Sequence, residues 1–215
     1  MAITDLAVQG AILILALAIF VAIQYFPKQA LNKIRSKNRT NLQSNRHFIQ
    51  GTHFLSRAKS TQKKSQTQSQ ILAKNALVEA ESAISLSPRD SAPFILKALA
   101  LDFLDHKGSA LKALDLALSS PRVKSLEDRE RGDALVKRAE LKMAVNRKRR
   151  VDSAIEDLKE AVKLSGDRER AFSALGQCYE WKGMKEEAQS AFQEALRIQT
   201  QSVEARTGLD RVRLL

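Results

Sequence analysis

One cysteine, Cys178, stands among 215 residues, so an intrachain disulfide is excluded and nothing points to an oxidising compartment. The residue patterns that commonly carry catalysis are missing as well. There is no Gly-rich phosphate loop, no G-x-S-x-G, no H-E-x-x-H and no pair of cysteines. His47 and His53 are six positions apart and fall on different helical faces, which argues against a shared metal ion. His106 lies by a turn before Lys107 and Gly108, and Cys178 reads as a small packing residue. Neither enzymatic activity nor a cofactor is expected.

Acidic residues are also missing from a long stretch. Between positions 6 and 78 there are eleven Lys or Arg and no Asp or Glu, whereas residues 79–215 are nearly balanced, with 25 basic and 23 acidic side chains. The net charge of +12 therefore arises almost wholly in the first third of the chain. Nucleic acid is not the expected partner, because the basic residues lack interleaved aromatics and any known binding motif.

What is present at the N-terminus is an apolar run, LAVQGAILILALAIFVAIQYF, over residues 6–26. A helix of about 20 apolar residues spans the hydrocarbon layer of a bilayer. The segment lacks the basic N-terminal flank of a cleaved signal peptide. It predicts a single transmembrane helix. Lys28, Lys33, Arg35, Lys37, Arg39 and Arg46 follow it and predict, by the positive-inside rule, an N-terminus across the membrane and a cytosolic remainder. The same six residues are candidates for contact with anionic lipid or for a targeting signal. Such anchors resemble those of the endoplasmic reticulum and of mitochondrial or plastid outer membranes.

The rest of the chain is organised by alanine. Ala76, Ala110, Ala154 and Ala188 recur at one phase, and Ala83, Ala117, Ala161 and Ala195 seven residues later, with steps of 34, 44 and 34. Ala80, Leu114, Leu158 and Phe192 lie between them, so offsets of four and seven trace one face of a helix. A helical period of 34 residues predicts a solenoid of helix pairs interrupted by one ten-residue insertion.

Residues 169–202 carry the pattern best, with Phe172, Leu175, Gly176, Tyr179, Gly183, Ala188, Phe192 and Ala195. This unit resembles a tetratricopeptide repeat. The unit at 135–168 keeps Leu141, Val145, Ala154, Leu158 and Ala161 but has Arg138, Lys142 and Arg149 where aromatic and glycine residues are usual. Residues 91–124 keep Phe94, Ala98, Leu101, Ala110, Leu114 and Ala117. In 57–90 the first helix fails, since Ser60, Lys63, Lys64 and Thr67 occupy its core positions, and a replacement is expected near residues 47–58. Residues 203–215 read as a closing helix.

The fold expected is thus all-α: a tail (1–5), a transmembrane helix (6–26), a basic juxtamembrane segment (27–70) and a tetratricopeptide-like α-solenoid (71–215). The insertion, SLEDRERGDA, reads either as a backward extension of the following helix or as a linker. The cluster Arg147, Lys148, Arg149 and Arg150 falls at the turn inside the 135–168 unit, where it reads as a solvated turn or as a contact for lipid headgroups or an acidic partner.

The resemblance implies a concave groove lined by the first helices of successive units. Its positions correspond to Ile95, Leu99, Asp102 and Phe103, then Ala139, Met143, Asn146 and Arg147, then Ser173, Gln177, Glu180 and Trp181. That mixture suits an amphipathic helix or an extended apolar peptide. Family members that clamp chaperone C-terminal carboxylates need Lys, Asn and Arg at set positions. In the two registers those positions hold Ile95, Leu99, Glu140, Arg170 and Ala174, or Thr61, Ser65, Leu96, Val136 and Glu140. Only Arg170 fits, so such a clamp is not expected. The function predicted is a membrane-anchored adaptor or receptor that binds another protein at the cytosolic face. A structural scaffold of a membrane complex, and a surface binding anionic lipid through the basic segment, stand beside it.

Overall fold

A computed structural model describes residues 15, 17, 19, 20, 39–164 and 168–214. The chain divides into two compact units, Met1–Gln43 and Ser44–Leu215. Within the first, Leu15, Leu17, Ile19 and Phe20 are helical and exposed. The remainder of the run at 6–26 lies outside the described residues, as do Lys28, Lys33, Arg35 and Lys37, whereas Arg39 and Arg46 are described and exposed.

The expectation of a single-pass membrane protein is corrected at this point. Among the described residues no helix is long and apolar enough to cross a membrane. A span needs about 20 unbroken apolar residues, and the described helices alternate instead between alanine-rich buried faces and charged ones. The helix at Gln66–Leu86, for instance, carries Lys74, Glu79 and Glu81 along 21 residues. The anchored topology, its cytosolic orientation and the lipid contacts inferred from it are therefore not retained.

The second unit is a succession of helices packed in chain order. Within this unit the backbone is helical over 44–61 (α1), followed by α2 (Gln66–Leu86), α3 (Ala92–Phe103) and α4 (Lys107–Ala117). A 3₁₀ turn at Arg122–Ser125 leads into α5 (Asp128–Lys163), α6 (Arg168–Lys182), α7 (Lys185–Ile198) and α8 (Val203–Leu214). Each helix packs mainly on its neighbour in sequence, α6 additionally on α8. All eight register alanines are buried, none more than 2% exposed. A methyl group at those positions lets helix axes approach closely, and the larger Leu114, Leu158 and Phe192 fill the space between pairs.

The helix that packs on α2 from the N-terminal side is α1. Leu55 and Ala58 of α1 pack against Leu72, Ala73 and Ala76 of α2, with Phe48, Phe54 and Phe103 closing the edges. The connection is short, because most of the Gln/Ser-rich stretch is helical: Ser65 Oγ accepts from Gln68 N at 3.3 Å and starts α2 there. Serine also ties second helices to their surroundings. Ser44 Oγ donates to Ala83 O at 3.0 Å, a carbonyl that also accepts from Ser87 N, and Ser91 Oγ donates to Ala117 O at 2.7 Å at the end of α4.

The insertion lengthens a helix. A capping box of Glu127 and Glu130 starts α5 at Asp128, two turns ahead of Leu135. α5 then breaks at Asn146, whose φ of −157° and ψ of 86° separate limbs 128–145 and 147–163 that stand as the two helices of one unit. The turns of the other units differ. Asp105 and Gly183 occupy the same repeat position and both adopt positive φ, 64° and 74°. Arg149 holds that position in the middle unit. A long side chain does not favour the left-handed region, and the chain turns three residues earlier, at Asn146, whose Oδ1 accepts from Arg149 N at 3.1 Å to cap the second limb.

Candidate functional site

Two grooves open on the face built by α1, α3, α5 and α6. The first, about 920 Å³, has an apolar floor of Phe48, Leu55, Ile95, Leu96, Leu99 and Val136. Leu126, Arg129 and Ala134, on or beside the two extra turns of α5, line it from a third direction. Lys59 and Arg170 also line this groove. The second, about 690 Å³, is lined by Ala139, Met143, Leu158, Cys178 and Trp181, with Arg147, Gln177, Glu140 and Glu180 among its polar groups.

Between them runs a belt of ion pairs. Asp102 of α3 receives Lys107 and Lys137, each at 2.6 Å; Lys137 also reaches Glu140 at 3.2 Å; Glu140 accepts two hydrogen bonds from Arg170 at 2.8 Å. Burial raises the Asp102 carboxyl, but the two lysine ammonium groups outweigh it and hold it below the usual range. Farther along, Glu180 of α6 accepts both 2.8 Å bonds of Arg211 of α8, which joins the closing helix to this face.

Set against the expected groove positions, Ile95 and Leu99 lie in the first groove, and Met143, Arg147, Gln177, Glu180 and Trp181 come together in the second. Asp102 is committed to the ion-pair belt. Phe103 packs into the α1–α2 interior beside Phe54. Asn146 serves the helix break, and Ser173 is buried and donates to Glu169 at 2.9 Å. Arg170, the one residue compatible with a carboxylate clamp, is held by Glu140.

Residue patterns did not disclose what fills the unusual positions of the middle unit. Arg138 and Lys142, standing where aromatic and glycine residues are usual, both reach Asp157 on the other limb of α5. Arg138 donates at 2.9 and 2.6 Å and Lys142 at 2.6 Å, while Lys142 also binds Ser153 O and Oγ. Asp157 is 5% exposed and Lys142 7%. Burial disfavours the Arg138 charge, yet Asp157 raises its pKa above the ordinary value. The signal was available in the sequence: two cations on one helix and an acid 15 to 19 residues on, in the adjacent antiparallel helix.

Chemical potential elsewhere is low. Burial pushes the Cys178 thiol up to about 11, with only a partial offset from the Arg147 charge, so the reactive thiolate is scarce at neutral pH. His47 pairs with Glu79 at 2.7 Å, not with His53, whose ring tilts against Phe54. Among the described residues no cluster of His, Cys, Asp and Glu is arranged to hold a metal ion.

The profile of the tetratricopeptide repeat family matches residues 169–202. The solved structure of pilF from Pseudomonas aeruginosa superposes with a TM-score of 0.62 at 16% identity, covering 80% of this chain and 68% of that one. YrrB, a TPR protein with an unusual peptide-binding site, gives 0.54 at 16% identity over 74% of each chain. The array is tetratricopeptide-like. TTC0263, a thermophilic TPR protein of Thermus thermophilus, gives 0.52 at 18% identity, with 80% of this chain on 100% of that one. At such identities the likeness concerns the tetratricopeptide-like fold alone. No curated protein matches the chain.

Proposed function

We propose that this tetratricopeptide-like array is a binding protein, whose grooved face captures an amphipathic helix or extended segment of a protein partner. The observation that carries the reading is the pairing of accessible apolar floors with fixed polar groups in both grooves, Ile95 and Leu99 in one, Met143 and Trp181 in the other. Trp181 is 42% exposed although it is the only tryptophan of the chain. Large aromatics so placed are enriched among interface hot spots. YrrB, a TPR protein of similar fold, has an unusual peptide-binding site, which supports peptide capture as a use to which such a fold is put. Tetratricopeptide folds generally serve as non-enzymatic adaptors, which agrees with the lack of any catalytic constellation in the sequence.

The mechanism is equilibrium capture. The ion-pair belt and the Asp157 cluster fix the helices before the partner arrives, so little ordering cost falls on this side of the complex. The test is crosslinking in cells of the organism, with photoreactive residues placed at Leu99 and at Gln177, compared with an Ile95→Glu, Met143→Glu double variant. Partners that crosslink to the wild type and vanish with the variant, while its circular dichroism stays unchanged, are the expected result. Crosslinks of equal strength in both proteins would reject the grooves as the binding surface.

A further inference from the structure

The turn between the limbs of α5 carries Arg147, Lys148, Arg149 and Arg150 in a row, all exposed. Among the described residues none of these four side chains has an ion-pair or hydrogen-bond partner, and Asp152, the nearest acid in sequence, is held by Lys182 at 2.6 Å. Arg147 belongs to the lining of the second groove together with Met143 and Trp181. The two carboxylates of that lining are already neutralised, Glu140 by Arg170 and Glu180 by Arg211. One end of the second groove thus bears positive charge that nothing among the described residues balances.

Resting on the reading of the grooved face as a peptide-binding surface, we infer that the second groove takes an acidic amphipathic protein segment. A bulky apolar side chain lies against Met143 and Trp181, and carboxylates of the same segment lie along the Arg147–Arg150 turn. The choice of a protein over a nucleic acid follows from what adjoins the charge. A polyanion would use the turn alone and leave the apolar floor exposed, whereas an acidic amphipathic segment covers both. Basic residues at the mouth of an apolar groove also steer such a segment into place and speed its association.

The turn is exposed, so each charge pair adds little individually, and the four together give about a tenfold preference at low salt. The test uses the full chain and two synthetic helical peptides with one Leu/Phe face, flanked by Glu in one and by Gln in the other. Fluorescein anisotropy reads affinity, and the emission of Trp181, the only tryptophan, reads occupancy of the second groove. Expected is a Glu peptide binding about tenfold tighter than the Gln peptide, with that margin lost at high salt. In the variant K148Q/R149Q/R150Q, which leaves the groove lining itself intact, most of the margin should disappear while the Gln peptide keeps its affinity.

Equal affinity of the two peptides for the wild type would overturn the inference; release of both by Met143→Glu would then leave the groove reading standing. Binding of neither peptide, with Trp181 emission unmoved, would reject the groove and the inference together. Capture of oligothymidine or of phosphatidylserine vesicles through the turn, with no response to the Glu peptide, would assign the turn to a polyanion and also overturn the inference.

Discussion

Phe192 is the place where the closing helix meets the last repeat, and its surroundings permit a sharp prediction. The ring is fully buried. A Cβ built on Gly208 of α8 would lie 2.4 Å from its Cζ and 2.5 Å from its Cε1; one built on Gly176 of α6 would lie 2.6 Å from the same Cε1. Real carbon contacts start near 3.5 Å, so Gly208→Ala forces a shift of roughly an ångström. The ring tip is confined by two helices and cannot swing into solvent, so α8 must lift. Overpacking of this kind costs about 1–3 kcal/mol. Replacing a helical glycine by alanine returns about 0.5–1 kcal/mol through backbone entropy. The balance is a net loss of roughly 0.5–2 kcal/mol, or a few degrees in Tm for an array of this size. Urea denaturation followed by circular dichroism measures it. Because the strain is one contact, Phe192→Leu combined with Gly208→Ala should cost less than the sum of the single changes. A Gly208→Ala protein more stable than wild type, or strict additivity with Phe192→Leu, would refute the account of α8 docking.

Three further outcomes follow from the geometry. Asp157→Asn strands the buried Lys142 without a counter-charge, leaves Arg138 only Asp115 at 3.6 Å, and should destabilise the array by about 3 kcal/mol, whereas the triple change R138F/K142G/D157A, which places there the residues of the last unit, should recover most of that in the same denaturation assay. Gly183 has positive φ and open space around it, so Gly183→Ala should lose about 1 kcal/mol on backbone grounds alone, while Asp105→Gly at the equivalent turn should gain up to about that amount. The Asp102 carboxyl has its pKa lowered in the folded state from the ordinary 3.8, so its contribution is complete above that value and is lost as pH falls below it; the stability gap between wild type and Asp102→Asn should be constant from neutral pH down to about 5 and close below about 4. A gap that widened with acid would contradict the ion-pair assignment.

Much of the array was legible because one physical rule generated it. Alanines spaced 34 residues apart can stay small only where helices touch, and all eight proved buried. Gly176 and Phe192 both stood in the repeat pattern, though not as a contacting pair. Gly208 was not, since it lies in the closing helix outside the period and its contact with Phe192 depends on how that helix docks. The assignment of Phe103 to the groove illustrates a second limit. Position within a repeat fixes which face a residue occupies, but α1 stands upstream of the repeat frame and its Phe54 draws Phe103 into the interior. The apolar run at 6–26 shows a third. Hydropathy suggested a span there, and the described helices supply none, because elsewhere in the chain apolar residues form stripes and not continuous cylinders.

The unit at 135–168, which departs from the repeat pattern at Arg138, Lys142 and Arg149, does much to shape the grooved face. Losing the turn glycine to Arg149 moves the turn to Asn146 and follows it with four exposed basic residues, of which Arg147 lines the second groove. Arg138 and Lys142 replace the aromatic and the glycine there, and both pair with Asp157 in an ion-paired knot that is directional where an apolar contact is not. The inserted residues start α5 early and line the first groove with Leu126, Arg129 and Ala134. Lys137 and Glu140 then divide the two grooves by pairing with α3 on one side and α6 on the other. Repeat positions that fix helix packing cannot vary without cost, so surface chemistry is free to change only where a substitute contact holds the helices in register. The Asp157 knot is that substitute, which ties the stability of this unit to the freedom of the grooved face beside it to change.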